Sequence, residues 1–185
     1  MSFSLPETYL FGLSGLLLII AVLVGRQLLK TRSDEIKLVE LEKSEYKNSN
    51  QASDLYELAS VQLKKRLYPQ ATATLKKALK NLNNEPDEAK AVIANALGFS
   101  LAAQNDFKSA ITHYKTAIKA KSNYPVALNN LAFAKKRLLE TEEAIEIYEQ
   151  VLKLDPLNKT ASRESKRLKK TKNISFANNS TKKGF

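Results

Sequence analysis

Shifted by 34 positions, the middle of this chain falls on itself. Asn95 meets Asn129, Leu97 meets Leu131, Gly98 meets Ala132, Phe99 meets Phe133, Ala110 meets Ala144, Tyr114 meets Tyr148 and Ala117 meets Val151. Matches in one order, with residue sizes kept, mark an internal repeat, and a period of about 20–50 residues means a stacked array of small units. An earlier copy aligns at a shift of 39, with Leu58–Ala59 in the Leu97–Gly98 place and Ala71, Leu75 and Ala78 in the places of Ala110, Tyr114 and Ala117. The extra residues fall around Asn81–Asp87, where Asn, Pro and Asp are loop chemistry. The recurring Gly and Ala stand where two helices of one unit cross, since a larger side chain there would force the backbones apart.

Each copy divides into two helices. The first is predicted over Ala52–Lys65, Ala89–Gln104 and Pro125–Leu138, and the second over Pro69–Leu82, Phe107–Ala120 and Thr141–Lys153. Asn105–Asp106 and Glu140 mark the sharp turns between partners, and Asp155–Pro156 ends the last pair because proline cannot continue a helix. One pair cannot bury its apolar face alone, so stacking supplies the core. These residues resemble the tetratricopeptide repeat, most closely through Leu128, Leu131–Ala132, Ala144, Tyr148, Val151 and Pro156. The resemblance implies an all-α solenoid of about three helix pairs over 52–156, with repeats at 52–85, 91–124 and 125–158. A basic capping helix is expected over 157–172 and a disordered polar tail over 173–185.

Before the repeats stands an apolar run, Tyr9–Leu29, preceded by a short flank at 1–8. From Thr8 to Gly25 no residue is charged. At ~1.5 Å per residue that stretch reaches roughly 27 Å, close to the thickness of a bilayer's hydrocarbon. No Lys or Arg precedes it and no A-x-A pattern follows, so an uncleaved anchor fits better than a signal peptide. Arg26, Lys30 and Arg32 flank its C-terminal end, which by the positive-inside rule puts the repeats on the cytoplasmic or stromal side. Residues 30–51 read as a charged helical stalk, with Ser33 as N-cap and Asp34 and Glu35 in its first turn.

Reactive chemistry is sparse. The chain has no Cys, a single His (His113) within a helix, and five Gly with no phosphate-cradling loop. Glu142, Glu143, Glu146 and Glu149 follow helical spacing, as a solvated face does. These features point away from an enzyme, and no cofactor or metal is expected. The net charge of +11 is spread over several helices without a nucleic-acid motif, so no nucleic acid is expected as partner. In the last helix, Lys166, Arg167, Lys169 and Lys170 are candidates for contact with anionic lipid or an acidic protein.

In stacked helix pairs the first helices line a groove. The candidate groove residues are Tyr56, Ser60, Asn95, Phe99, Asn129, Phe133, Lys136 and Arg137. An Asn amide both donates and accepts, so Asn95 and Asn129 can grip an extended segment by its main chain. Phe99 and Phe133 can receive an apolar side chain, and Lys136 or Arg137 a carboxylate. Some tetratricopeptide proteins hold a chaperone's C-terminus with a carboxylate clamp. Tyr56 and Ser60 stand where that clamp has Lys and Asn, which argues against a co-chaperone.

The anchor Tyr9–Gly25 with Arg26, joined to the segments "NALGFSLAAQNDFKSAITHYKTAIKAK" and "ALNNLAFAKKRLLETEEAIEIYEQVLKLDP", resembles the small membrane-anchored tetratricopeptide protein of cyanobacteria and algal plastids that assists photosystem I assembly, the hypothetical chloroplast reading frame 37 family. The resemblance implies a single-pass thylakoid protein that binds a polypeptide, a photosystem I subunit or assembly factor, in its repeat groove. The alternative is a general bacterial-type membrane-tethered scaffold in protein export or envelope complex assembly.

Overall fold

Helices account for nearly all of the described backbone. The computed structural model describes residues 5–48, 51–82 and 85–181, and among them are eight helices and no strand. The chain divides into two units, one ending at Lys47 and one beginning at Asn48.

The described residues of the first unit form one helix, α1 (Leu5–Asn48), whose last residue opens the second unit. Pro6 lies in its first turn, where a missing N–H leaves no bond unmade. From Arg26 to Asn48 no Pro or Gly stops it. Ser33 is therefore an interior residue and not the N-cap of a separate stalk: a helix that nothing has ended needs no new start. Tyr9–Leu29 has the length and composition to cross a membrane, and its large apolar side chains are exposed. Ser14 donates its hydroxyl to the Leu10 carbonyl at 2.8 Å, so this polar group is satisfied within the helix.

The second unit is a chain of helix pairs: α2 (Ala52–Lys64) with α3 (Tyr68–Lys80), α4 (Asp87–Ala103) with α5 (Phe107–Ala120), α6 (Pro125–Arg137) with α7 (Thr141–Leu154), and α8 (Lys159–Thr181) as cap. Each helix packs on the next in chain order. Helix α4 starts at Asp87, ahead of Ala89, because Pro86 takes the N-cap and Asp87 and Glu88 suit the positive end of the helix. Helix α8 continues past Lys172 to Thr181 where a disordered tail is expected from Asn173; no Pro or Gly stands in that stretch to end it.

The three turns within pairs share one geometry. Arg66, Asn105 and Leu139 hold positive φ of 60°, 65° and 64°. In each turn the next residue's N–H reaches back five positions: Leu67 to the Gln62 carbonyl at 2.9 Å, Asp106 to Leu101 at 3.0 Å, Glu140 to Lys135 at 3.1 Å. This is the Schellman ending, which satisfies carbonyls that a helix terminus leaves unpaired. Asp106 then caps α5 by accepting the Ser109 N–H at 3.1 Å.

The core follows the small-on-large rule of the repeat. Ala59, Ala71 and Ala78 in the first pair, Ala110 and Ala117 in the second, and Ala132, Ala144 and Val151 in the third are fully buried. Between them on the same faces of the second helices lie Leu75, Tyr114 and Tyr148, also buried. Burial pushes the Tyr148 phenol up to about 12 and the Tyr114 phenol further still, so both rings stay neutral.

Candidate functional site

The first helices of neighbouring pairs touch, α2 with α4 and α4 with α6, and form one continuous face. Two hollows open on it. The first, about 320 Å³, lies between α2 and the start of α4, with Tyr56, Val92 and Ile93 on its walls and Glu85 and Glu88 at its rim. The second, about 290 Å³, lies between α4 and α6 and is lined by Phe99, Ala102, Asn105, Asn130, Phe133 and Arg137.

Phe99 and Phe133 stand at equivalent places on α4 and α6 and are 45% and 40% exposed, large rings left open to solvent. Phe133 also meets Phe107 edge-on, with centroids 6.3 Å apart. The Arg137 guanidinium lies 4.6 Å over the Phe107 ring and 5.9 Å from that of Phe133. Stacking on two ring faces holds this cation in place while its donors stay unspent, because among the described residues no carboxylate pairs with it.

Lys136 differs from its neighbour. Its ammonium donates to the Glu164 carboxylate on α8 at 2.8 Å and lies 5.2 Å over Phe133. Its charge is already matched within the fold, which leaves Arg137 alone of the two expected carboxylate receptors. Ser60 donates to the Tyr56 carbonyl of its own helix at 2.8 Å and brings no free donor to the face.

The two asparagines form bonds across the repeats. The Asn95 amide donates to the Tyr124 hydroxyl at 3.4 Å and accepts from the Asn130 amide at 3.0 Å. Asn129 donates to Asn158 Oδ1 at 3.3 Å. That oxygen also accepts the Ala161 N–H at 3.0 Å as the cap of α8, so Asn129 must turn its NH2 toward it. Asn129 Oδ1 is buried without a partner. Asn129 is therefore spent on seating the cap, whereas half-buried Asn95 keeps one N–H and one lone pair to offer. Asn130, which positions Asn95 and lines the second hollow, escaped the repeat comparison because its equivalent is Ala96. Phe107 escaped the list of groove residues because it opens a second helix.

On α8, Lys166, Arg167 and Lys170 are exposed and make no ion pair among the described residues. Lys169 instead pairs with Glu149 of α7 at 2.5 Å. His113 is half-buried, and burial pulls its imidazole below the ordinary value.

This arrangement matches known proteins in sequence as well as shape. Residues 98–138 match a TPR repeat model and residues 126–156 a tetratricopeptide repeat model. The ycf37 protein of Guillardia theta is 32% identical over 162 residues, covering 88% of this chain and 91% of that protein. The chain belongs to the ycf37 family. The chloroplastic tetratricopeptide repeat domain-containing protein PYG7 of Arabidopsis thaliana is also 32% identical, over 158 residues; that match covers 85% of this ycf37-family chain and 52% of the plant protein. Among solved structures, MamA superposes with a TM-score of 0.69 at 21% identity, over 78% of this chain and 76% of its own. The first TPR of Spaghetti (RPAP3), bound to an HSP90 peptide, superposes with a TM-score of 0.61 at 22% identity, over 67% and 94%. These likenesses establish the fold, a solenoid of stacked helix pairs.

Proposed function

We propose that this ycf37-family chain is a membrane-anchored scaffold that assists assembly or stability of photosystem I by holding a segment of a partner polypeptide in its repeat groove. In this reading Tyr9–Leu29 spans the thylakoid membrane once, residues 30–51 link it to the repeats, and the repeats face the stroma or cytoplasm. Support for the span comes from its exposed apolar surface and from Arg26 in its last turn and Arg32 just beyond it. The family resemblance supports the photosystem I assignment.

The observation that carries the binding reading is the hollow between Phe99 and Phe133 with Arg137 at its side. It suits an extended segment that offers a bulky apolar side chain to the rings and a carboxylate to the guanidinium, with Asn95 on its main chain. Tethering raises the local concentration of any bilayer-bound partner, so a shallow groove can suffice. The test is co-purification of photosystem I subunits from detergent-solubilised thylakoids with the wild-type chain and with the triple variant Phe99→Ala, Phe133→Ala, Arg137→Ala. Capture by the wild type alone supports the groove. Equal capture by both removes it, and normal photosystem I levels in a deletion strain remove the assembly role. Release of the chain from carbonate-washed membranes would remove the anchor.

A further inference from the structure

Helix α8 caps the stack with one face and turns a different chemistry outward. Ala161, Glu164 and Ser165 are buried and Leu168 packs on the last core cluster. Opposite them on the helix, Lys159, Arg163, Lys166 and Lys170 recur at positions i, i+4, i+7 and i+11, with Arg167 at the edge. All five are exposed. Lys169 and Lys172 lie nearer the seam with α7 and are matched there by Glu149 and Glu142, at 2.5 and 3.0 Å. Arg163 touches Glu164 at 3.3 Å, and Lys159, Lys166, Arg167 and Lys170 have no ion partner among the described residues.

A cap needs a polar outer face, but mixed charges would serve that need. The outer face of α7 is acidic, through Glu142, Glu143 and Glu146. On α8, like charges stand three and four residues apart, an arrangement that weakens a helix. The fold draws nothing from this stripe, since the buried face makes the packing. A counter-charge outside the chain would turn the repulsion into attraction.

We infer that the outward face of α8 docks on an anionic lipid surface, with the headgroup phosphates as the ligands of Lys159, Lys166, Arg167 and Lys170. This rests on the membrane anchoring proposed above. In that reading the covalent tether confines the whole chain to the bilayer, so lipid headgroups stand at a high effective concentration for the basic face of α8. An acidic partner protein would have to be recruited, whereas the bilayer is always present.

The chain has no Cys, so Asn173→Cys, exposed just beyond the stripe, gives one labelling site in the full chain. A fluorophore there is read in phosphatidylcholine vesicles carrying a headgroup quencher, with and without phosphatidylglycerol. Docking should quench the label only with phosphatidylglycerol and should vanish near 1 M salt, where screening acts over about 3 Å. Each of Lys159→Gln, Lys166→Gln, Arg167→Gln and Lys170→Gln should weaken docking on the order of fivefold. Replacing the three lysines by Arg should leave it intact. Equal quenching on both vesicles, no quenching on either, or undiminished docking of the fourfold Gln variant would overturn the inference. Binding of labelled chain to polyglutamate, without response to phosphatidylglycerol, would overturn it in favour of an acidic protein. Failure of the chain to sediment with vesicles is a separate result, and removes the anchor instead.

Discussion

The ring of Tyr114 lies so close to Gly98 that a Cβ built on the glycine would come within 2.6 Å of Cε1 and 2.7 Å of Cδ1. The Ala110 carbonyl oxygen, one turn before Tyr114 on the same helix, would lie at 3.1 Å. Tyr114 is 1% exposed and has no room to retreat. Gly98→Ala is therefore expected to destabilise the stack by about 1–3 kcal/mol through overpacking, and Gly98→Leu by more. Urea denaturation followed by circular dichroism reads this directly; an unchanged midpoint for Gly98→Ala would contradict the packing. The third repeat holds Ala132 at the same place, fully buried, so the crossing is closest in the second.

A directed chain of hydrogen bonds joins the first repeat to the second. Ser100 donates to the Tyr68 carbonyl at 2.8 Å, so the 2.8 Å contact between Thr72 and Ser100 must have Thr72 as donor. The Gln104 amide in turn donates to Thr72 at 2.8 Å. Ser100 and Thr72 are buried, so Ser100→Ala takes away the acceptor of the Thr72 hydroxyl proton and the side-chain donor to the Tyr68 carbonyl, and should cost about 1–3 kcal/mol. The pair Thr72→Val with Ser100→Ala should cost less than the sum of the single changes. Strict additivity in that double-mutant cycle would mean the two hydroxyls are not coupled.

The helix pairs were legible in the sequence because a solenoid repeats its packing requirement: Gly98 and Ala132, Tyr114 and Tyr148 answer the same constraint one period apart. Continuity was less legible. Ser33–Asp34–Glu35 has the composition of a helix start, yet α1 runs through it, because starting residues do not end a helix already under way. In the groove, exposure of Phe99 and Phe133 followed from their register. The fates of Asn129 and Lys136 did not, since their partners Asn158 and Glu164 belong to the cap, whose sequence does not repeat the period. Asn95 and Asn129 do reach equivalent places, Tyr124 and Asn158, but the change of residue type hid the correspondence.

The Schellman turns make a prediction about backbone strain. Each needs a left-handed residue, and only Asn105 is of a type that adopts it readily. Leu139 holds φ of 64° while its side chain is 86% exposed, so its apolar surface contributes little burial to offset the strain. Leu139→Gly or Leu139→Asn is expected to raise stability by about 1 kcal/mol, and Asn105→Leu to lower it by a similar amount. Thermal melts of the three variants against the wild type decide it. A lower melting temperature for Leu139→Asn would show that the leucine packs in a way its exposure hides.

The Lys136–Glu164 bond ties α6 to the cap and makes that tie dependent on pH. Glu164 is buried at 7% exposure, and the hydrogen bond from Lys136 holds its carboxyl below the ordinary carboxylate value, burial opposing it more weakly. A lowered native value means that the bond's contribution is complete above the unfolded value, near 4.5, and is lost as pH falls through the native one. Glu164→Gln should cost about 1.5–3 kcal/mol at neutral pH, with the difference from wild type shrinking as pH drops below about 4.5. Lys136→Met should cost at least as much at neutral pH, because it leaves a buried carboxylate with only the exposed Arg163 beside it, at 3.3 Å. Denaturation midpoints of the three proteins across that range measure the effect. A Glu164→Gln difference that stays constant down to acid pH would show that the carboxylate's charge contributes nothing to the hold of the cap.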